Sequence, residues 1–439
     1  MQFESALVDG VWKQHVEFVF ENGRIKAIRA DADPQRSLKQ VALPGMVNCH
    51  SHAFQRAFAG LSEFRTAAQD SFWTWRTLMY EFLLKLGPED VYRIARQLYT
   101  EMLVAGYTSV GEFHYVHNDV DGESYANPFE LTDAIVRAAE ETGIRLCLLP
   151  VLYQRGGFQN QELVGGQKRF FLSCDRFVEL AKYCQNLASG SEQIVAGMAI
   201  HSLRAVDPRL ANEVLAELSG DHETFPIHIH VAEQIPEVEA CLAAHNRRSV
   251  EYLFDQFEVN ESWCLIHSTH LNDNELQRIA KSQAVVGLCP TTEANLGDGI
   301  FRSSEFLKAG GRFAIGSDSH VSVDLREELR LMEYGQRLLS RQRAVLGSES
   351  QSVGRTLYSG AASGGASALG LGRGRIAVGE LADFTVVDPR RPRSITQWKI
   401  GCSIDSFSAT LVTRSPESSL AGSILSRQNK SCRTEKGNR

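Results

Sequence analysis

Between about residues 44 and 375 helix-like and strand-like runs alternate, and this alternation restricts the possible folds more than any other feature of the chain. Pro88-Glu89-Asp90 puts proline and acids where a first helical turn favours them. The amphipathic run carries to about Ala105, Gly106 stops it, and residues 108–113 read as a strand. The unit then recurs: 128–142 is helical, Gly143 ends it, and 144–149 is a strand. Further strands are expected at 195–200, 226–231, 263–267, 284–288 and 312–315, with helices at 207–218, 235–245, 272–280 and 303–309 between most of them. Roughly eight strands separated by helices imply a parallel sheet covered by helices, and the length suits a closed (β/α)8 barrel. An open doubly wound sheet is the alternative.

The flanks read differently. Residues 6–8 and 16–20 are strand-like, with a hairpin turn at Glu21-Asn22-Gly23-Arg24. Residues 374–379 and 382–387 again look like strands and could pair with the N-terminal ones. The expected division is therefore 1–43 and 376–439 as the two parts of a small β domain, with 44–375 as the barrel.

Composition narrows the partners. With 46 Lys+Arg against 53 Asp+Glu the net charge is −7, a poor basis for holding nucleic acid or an anionic membrane. No apolar run approaches the ~18 residues of a membrane span, and the N-terminus lacks the look of a signal peptide. Nine scattered cysteines without a CxxC pair read as reduced thiols, so a cytoplasmic location is expected.

The 13 histidines carry the chemistry. His50-Ser51-His52 follows a strand, and residues i and i+2 of a strand share a face, so both imidazoles can reach one metal ion. His228-Ile229-His230 repeats the pattern, with Glu233 three residues on as a carboxylate for proton transfer. His267 and His270 follow the strand 263–265, and Asp318 and His320 follow the strand 312–315. Either histidine pair alone is weak, since structural histidines are common. All four clusters lie at C-terminal strand ends, which in a barrel converge on one mouth.

A HxH pair on the first strand, histidines on the fifth and sixth and an aspartate on the eighth resemble the amidohydrolase superfamily, and His230-Val231-Ala232-Glu233 is similar to its deaminase branch. Longer motifs narrow the resemblance. His50-Ser51-His52-Ala53-Phe54-Gln55-Arg56, Asp70-Ser71-Phe72-Trp73-Thr74-Trp75-Arg76, Glu112-Phe113-His114-Tyr115-Val116-His117, His201-Ser202-Leu203-Arg204 and Thr292-Glu293-Ala294-Asn295-Leu296-Gly297-Asp298-Gly299 are similar to the formimidoylglutamate deiminase family, over roughly residues 1–390.

That resemblance implies a barrel with a small β-sandwich and hydrolysis of N-formimino-L-glutamate to N-formyl-L-glutamate and ammonia, in histidine degradation, by attack of a metal-bound hydroxide. It implies His50, His52, His230 and Asp318 as ligands of one Zn²⁺. The absence of an obvious lysine on the fourth strand to bridge two metals agrees with a single ion. Glu233, His267 and Asp318 are the implied acid–base groups, orientation of ligands being the alternative for Glu233 and His267. Arg76 and Arg204 are expected to hold the two substrate carboxylates through guanidinium forks, with Gln55, Tyr115 and His201 as neutral contacts. For Arg76 the alternative is a surface arginine stacked on Trp73 or Trp75. A homodimer is the oligomer the family suggests. Another superfamily deaminase acting on a guanine, cytosine or triazine ring is the second enzyme reading, and an inactive barrel serving as a scaffold is the non-enzyme one.

His114, His117, His228, His270 and His320 are expected near the mouth, and His15, His222 and His245 at the surface. From about Ile400 the chain departs from the family pattern. Residues 403–439 are rich in Ser, Arg and Asn with little periodicity, and the last stretch, 426–433, reads as disordered, which bears on the small domain and the dimer interface, not on the chemistry.

Overall fold

The computed structural model describes residues 1–64, 72–219, 225–389 and the backbone of 409–412. The chain first builds four strands, β1 (Gln2–Val8), β2 (Val11–Glu21), β3 (Arg24–Arg29) and β4 (Leu38–Pro44). Gly45 separates β4 from β5 (Met46–Ser51), the first barrel strand. The barrel continues with β6 (Tyr107–His114), β7 (Arg145–Leu152), β8 (Ile194–Ala196) and β9 (Met198–Ser202), β10 (Ile227–Val231), β11 (Trp263–His267), β12 (Val285–Leu288) and β13 (Arg312–Ile315). Both β8 and β9 pair with β7, so they form one interrupted position. Parallel pairings run from β5 through β6, β7, β9, β10, β11, β12 and β13, and β13 pairs back to β5. This is a closed eight-stranded parallel barrel, and the open-sheet alternative is excluded.

The barrel strands are buried on both faces, as their unbroken apolar runs require: Arg145-Leu146-Cys147-Leu148-Leu149-Pro150-Val151-Leu152 is buried at every position. Helices Pro88–Ala105 and Ile235–His245 lie where the sequence places them. Helices Phe72–Leu83, Cys174–Ser189, Ser249–Gln256, Pro290–Leu296, Leu325–Ser340 and Val353–Ala368 are additional to those expected.

Near the C-terminus β14 (Phe384–Val387) and β15 (Ala409–Val412) complete a six-stranded sheet in the order β15-β14-β4-β1-β2-β3. The N- and C-terminal segments thus share one small sheet, whose own core includes Phe3, Phe18 and Phe384. Arg145 of β7 and Asp383 before β14 form a buried ion pair at 2.9 Å, which ties this sheet to the barrel. Two expectations change here. Residues 374–379 are not a strand; only Ile376 bridges to Val8, because Gly374 and Gly379 take positive φ and turn the chain. Within the aperiodic stretch 403–439, Ala409–Val412 is a strand paired antiparallel with β14. The rest of 403–439, like Asp70, Ser71 and His222, lies outside the described residues.

Candidate metal and substrate site

The barrel's seam between β5 and β13 assembles the centre. Asp318 N donates to His50 O at 3.0 Å and His52 N donates to Asp318 O at 3.2 Å, so the eighth-strand loop is hydrogen-bonded directly to the first-strand HxH. Gly316 makes this approach possible, since a Cβ there would stand 2.7 Å from His50 Cβ and 2.9 Å from His50 N and O. Three strand ends in the site also hold non-glycine residues in the left-handed region: Ala232 (φ 53°), His267 (φ 68°), Ser268 (φ 50°) and Asp318 (φ 47°). Backbone strain of this kind persists where the surroundings fix it and clusters at functional sites.

The donor atoms converge. His50, His52 and His230 each bring a ring nitrogen within 4.8 Å of the other two. His50 Nε2 is 3.0 Å from His230 Nε2 and 3.5 Å from Asp318 Oδ1, and His52 Nε2 is 3.3 Å from the same oxygen. Nδ1 of His52 lies 3.1 Å from Phe113 O and Nδ1 of His230 lies 2.9 Å from His201 O. Donation to those carbonyls uses each Nδ1–H and leaves Nε2, with its lone pair, facing the centre. Burial, followed by neighbouring imidazoles, holds His50 and His230 well below their ordinary values, and burial brings His52 down to about 3. The rings are therefore neutral and able to ligate. Nitrogens 3.0 Å apart with their lone pairs inward, beside a carboxylate, fit a divalent cation.

Acid–base groups surround this set. His267 Nε2 is 3.7 Å from both Asp318 Oδ2 and Glu233 Oε1, and its Nδ1 is 3.3 Å from Glu293 Oε1. Burial alone would lower His267, but Glu233, Glu293 and Asp318 together outweigh it and hold the ring well above its ordinary value. Burial raises Glu233, with His267 opposing, and raises Asp318 to about 7. Glu233 is held in place by Glu237, whose carboxylate accepts from Ala232 N at 3.0 Å and Glu233 N at 3.1 Å. Buried Glu112, raised to about 7 by desolvation, accepts from Ser51 Oγ at 2.6 Å and Ala53 N at 2.7 Å, which fixes the chain on either side of His52.

A cavity of about 540 Å³, counted to its open mouth, leads to the centre. All five expected substrate contacts, Gln55, Arg76, Tyr115, His201 and Arg204 among them, line it. Gln55 Nε2 donates to Tyr115 Oη at 2.8 Å, and its buried Oε1 has no partner among the described residues. Arg76 stacks on Trp73 at 4.4 Å and on Tyr80 at 5.6 Å, yet it is not a surface arginine. It lines the cavity, and burial, with Arg204 as a further depressing charge, lowers its guanidinium. Arg204 is 3.9 Å from Glu237.

The remaining histidines divide. His320 bonds Ser317 Oγ at 2.8 Å and Ser51 Oγ at 3.2 Å, next to the HxH. His270 bonds Asp298 O at 2.9 Å. His228 lies one step down the strand from His230 and bonds Ala368 O at 2.8 Å, away from the donor set. His114 and His117 are buried beside one another, His15 is half-buried against Ser37, and His245 is exposed and stacked on Tyr252. Sequence reasoning assigned no role to Glu237, Glu112, Tyr153 or Phe170. Glu293 and Asp298 stood inside a quoted motif without one. Asp298, buried and raised to about 9, first by desolvation and then by Glu233, is within 4.8 Å of the Glu233 and His267 donor atoms.

The amidohydrolase family profile matches residues 41–420. The formimidoylglutamate deiminase of Pseudomonas aeruginosa is 48% identical over 393 residues, 89% of this chain and 86% of that protein. A 5-methylthioadenosine/S-adenosylhomocysteine deaminase of Natronomonas pharaonis is 26% identical, covering 85% and 79%. Among solved structures an amidohydrolase from Brucella melitensis superposes with TM-score 0.84 at 44% identity, over 90% of this chain and 88% of that one. An adenosine deaminase from Xanthomonas campestris with bound zinc shares the fold, with TM-score 0.74 at 19% identity over 98% and 97%. The family profile spans most of the chain, and the chain belongs to the amidohydrolase family.

Proposed function

We propose that the protein hydrolyses N-formimino-L-glutamate to N-formyl-L-glutamate and ammonia, a step of histidine degradation, at a centre holding one zinc ion. The observation that carries this reading is that two guanidiniums, Arg76 and Arg204, line one cavity with His52, His230 and Asp318, against which His50 is packed. Two cations in one cavity suit a substrate with two carboxylates, and a metal donor set beside them suits hydrolysis of a C–N bond. The 48% identical deiminase supports the same choice of substrate. No lysine stands on the fourth barrel position, Met198–Ser202, which supports a single ion.

His50, His52, His230 and Asp318 would hold a divalent ion, which would supply electrophilic activation and a water acidified to near pH 7. Water adds across the formimino C=N bond, its oxygen to carbon and its first proton to the terminal nitrogen; the second water proton then goes to the same nitrogen as the remaining C–N bond breaks, leaving the formyl C=O and ammonia. Glu233 takes each water proton in turn and delivers it to the terminal nitrogen, its raised proton affinity suiting both halves of the transfer. His267, whose protonated form is favoured by three carboxylates, donates toward the charge that develops on the heteroatoms of that carbon. Arg76 and Arg204 hold the two carboxylates, and Gln55, Tyr115 and His201 complete the polar contacts. The aromatic walls, Tyr153 and Phe170 among them, exclude bulk water.

The test is turnover by purified, zinc-loaded protein. Ammonia and N-formyl-L-glutamate should appear in equal amounts from N-formimino-L-glutamate. Turnover of guanine, cytosine or a triazine instead would replace this reading with a ring deaminase, and no turnover of any of them would favour a scaffold.

A further inference from the structure

Arg169 is the largest fully buried side chain among the described residues, at 0% exposure. No ion pair of Arg169 is seen among the described residues. Its cation is satisfied by carbonyls instead: Nη1 donates to Leu83 O at 2.5 Å and Leu86 O at 2.9 Å, and Nε donates to Asn118 O at 3.0 Å. Nη2 reaches Tyr125 Oη at 3.4 Å. In return Arg169 O accepts from His117 N at 2.9 Å and Asn118 N at 3.0 Å. A buried cation without a counter-ion is costly, and its desolvation appears as a lowered guanidinium. The negative end of a helix offsets part of that cost, and Leu83 is the last residue of helix Phe72–Leu83.

The three segments joined here are three walls of the cavity. Helix Phe72–Leu83 carries Trp75, Arg76, Met79 and Tyr80, the segment after β6 carries Tyr115, and Phe170 follows Arg169 itself. None of the donor-set residues His50, His52, His230 or Asp318 touches this junction through a hydrogen bond.

We propose that Arg169 is a positioning residue for substrate binding: its planar fork locks the C-terminal end of helix Phe72–Leu83 to the segment after β6, and so fixes Arg76 and Tyr115 at the carboxylate end of the cavity. Lysine keeps the charge but has no fork, so it cannot join Leu83, Leu86 and Asn118 in one plane. The inference rests on the deiminase reading, and wild-type turnover of N-formimino-L-glutamate is the control that separates the two.

The variants are Arg169→Lys and Arg169→Met, each assayed for kcat, KM, bound metal and the Kd of N-formyl-L-glutamate by calorimetry. A shift of the carboxylate clamp by a fraction of an ångström should raise KM and that Kd together by about tenfold or more, leaving kcat within about threefold and one metal ion per chain. Arg169→Lys should lie between wild type and Arg169→Met. Unchanged KM in Arg169→Met overturns the inference. So does a parallel fall of kcat, bound metal and binding, which is what a general packing role gives. If Arg169→Met does not fold, Arg169→Lys decides by the same two criteria. An inactive wild type would overturn the deiminase reading and this inference with it.

Discussion

Glu293→Gln isolates the electrostatic part of the account. Glu293 Oε1 is 3.3 Å from His267 Nδ1 and accepts from Cys289 N at 2.9 Å, and the residue is 5% exposed. Glutamine is nearly isosteric, and its amide oxygen can accept both hydrogen bonds, so packing and ring orientation persist. What disappears is one of the three negative charges that outweigh burial and keep His267 protonated. A charged hydrogen bond is worth ~1.5–3 kcal/mol and a neutral one ~0.5–1.5. The difference between the midpoints, about 1.25 kcal/mol, corresponds to a little under tenfold in rate. Loss of a group orienting an active-site histidine reaches about a hundredfold, which sets the upper end. The assay is steady-state ammonia release with bound metal measured on the same sample. The account predicts kcat lower by about 10- to 100-fold, KM within about twofold and metal content unchanged. A kcat within twofold of wild type, or a loss that follows loss of metal, would refute the reasoning.

Three other outcomes follow from the geometry. Arg76→Met, which keeps the apolar stem over Trp73, should raise KM by a factor of about 30 or more, since truncating one partner of a buried charge pair costs ~2–5 kcal/mol; initial rates across substrate concentrations check this, and unchanged KM contradicts the assigned role. Gly316→Ala drives a methyl to 2.7 Å from His50 Cβ and should lower bound metal together with activity, at ~1–3 kcal/mol of overpacking, as read by metal analysis after dialysis. His117 donates to Val151 O at 3.2 Å and is lowered to about 4, first by burial, so the unfolded chain takes up its proton first as pH falls. Its contribution is whole above about pH 6.5 and is lost toward pH 4, about 2 kcal/mol of it by pH 5. Urea midpoints at pH 7 and 5 should therefore fall more for wild type than for His117→Gln.

The barrel and the candidate donor set were legible for a common reason. Each strand is a short apolar run with helix stop and start residues around it, and the HxH spacing fixes two donors on one face before any packing is known. Helix Val353–Ala368 was not legible, because its Gly- and Ser-rich sequence looks like a loop. The packing explains the composition: a Cβ at Gly364 would stand 1.8 Å from Phe313 O, and one at Gly365 would stand 2.7 Å from Val47 Cβ. Glycine lets this helix lie directly on β13 and β5, and tertiary contact overrides propensity. The helix Cys174–Ser189 did carry a readable cap, since Ser173 Oγ accepts from Arg176 N at 3.3 Å. Glu112 stayed hidden because its partners, Ser51 Oγ and Ala53 N, lie 61 and 59 residues away, which spacing along a chain does not encode; Glu237 is local to Ala232 N and Glu233 N but sits in a first helical turn, where an acid is ordinary. Arg169 is the extreme case, as its three carbonyl partners lie 51 to 86 residues away.

The most direct test of the central claim is a metal titration of chelator-stripped protein, with N-formimino-L-glutamate deimination followed at each addition of zinc. The account predicts no activity without metal and a linear rise that breaks at about one equivalent, set by the single His50/His52/His230/Asp318 donor set. Full activity in metal-free protein, a break at two equivalents, or no deimination at any loading would contradict it.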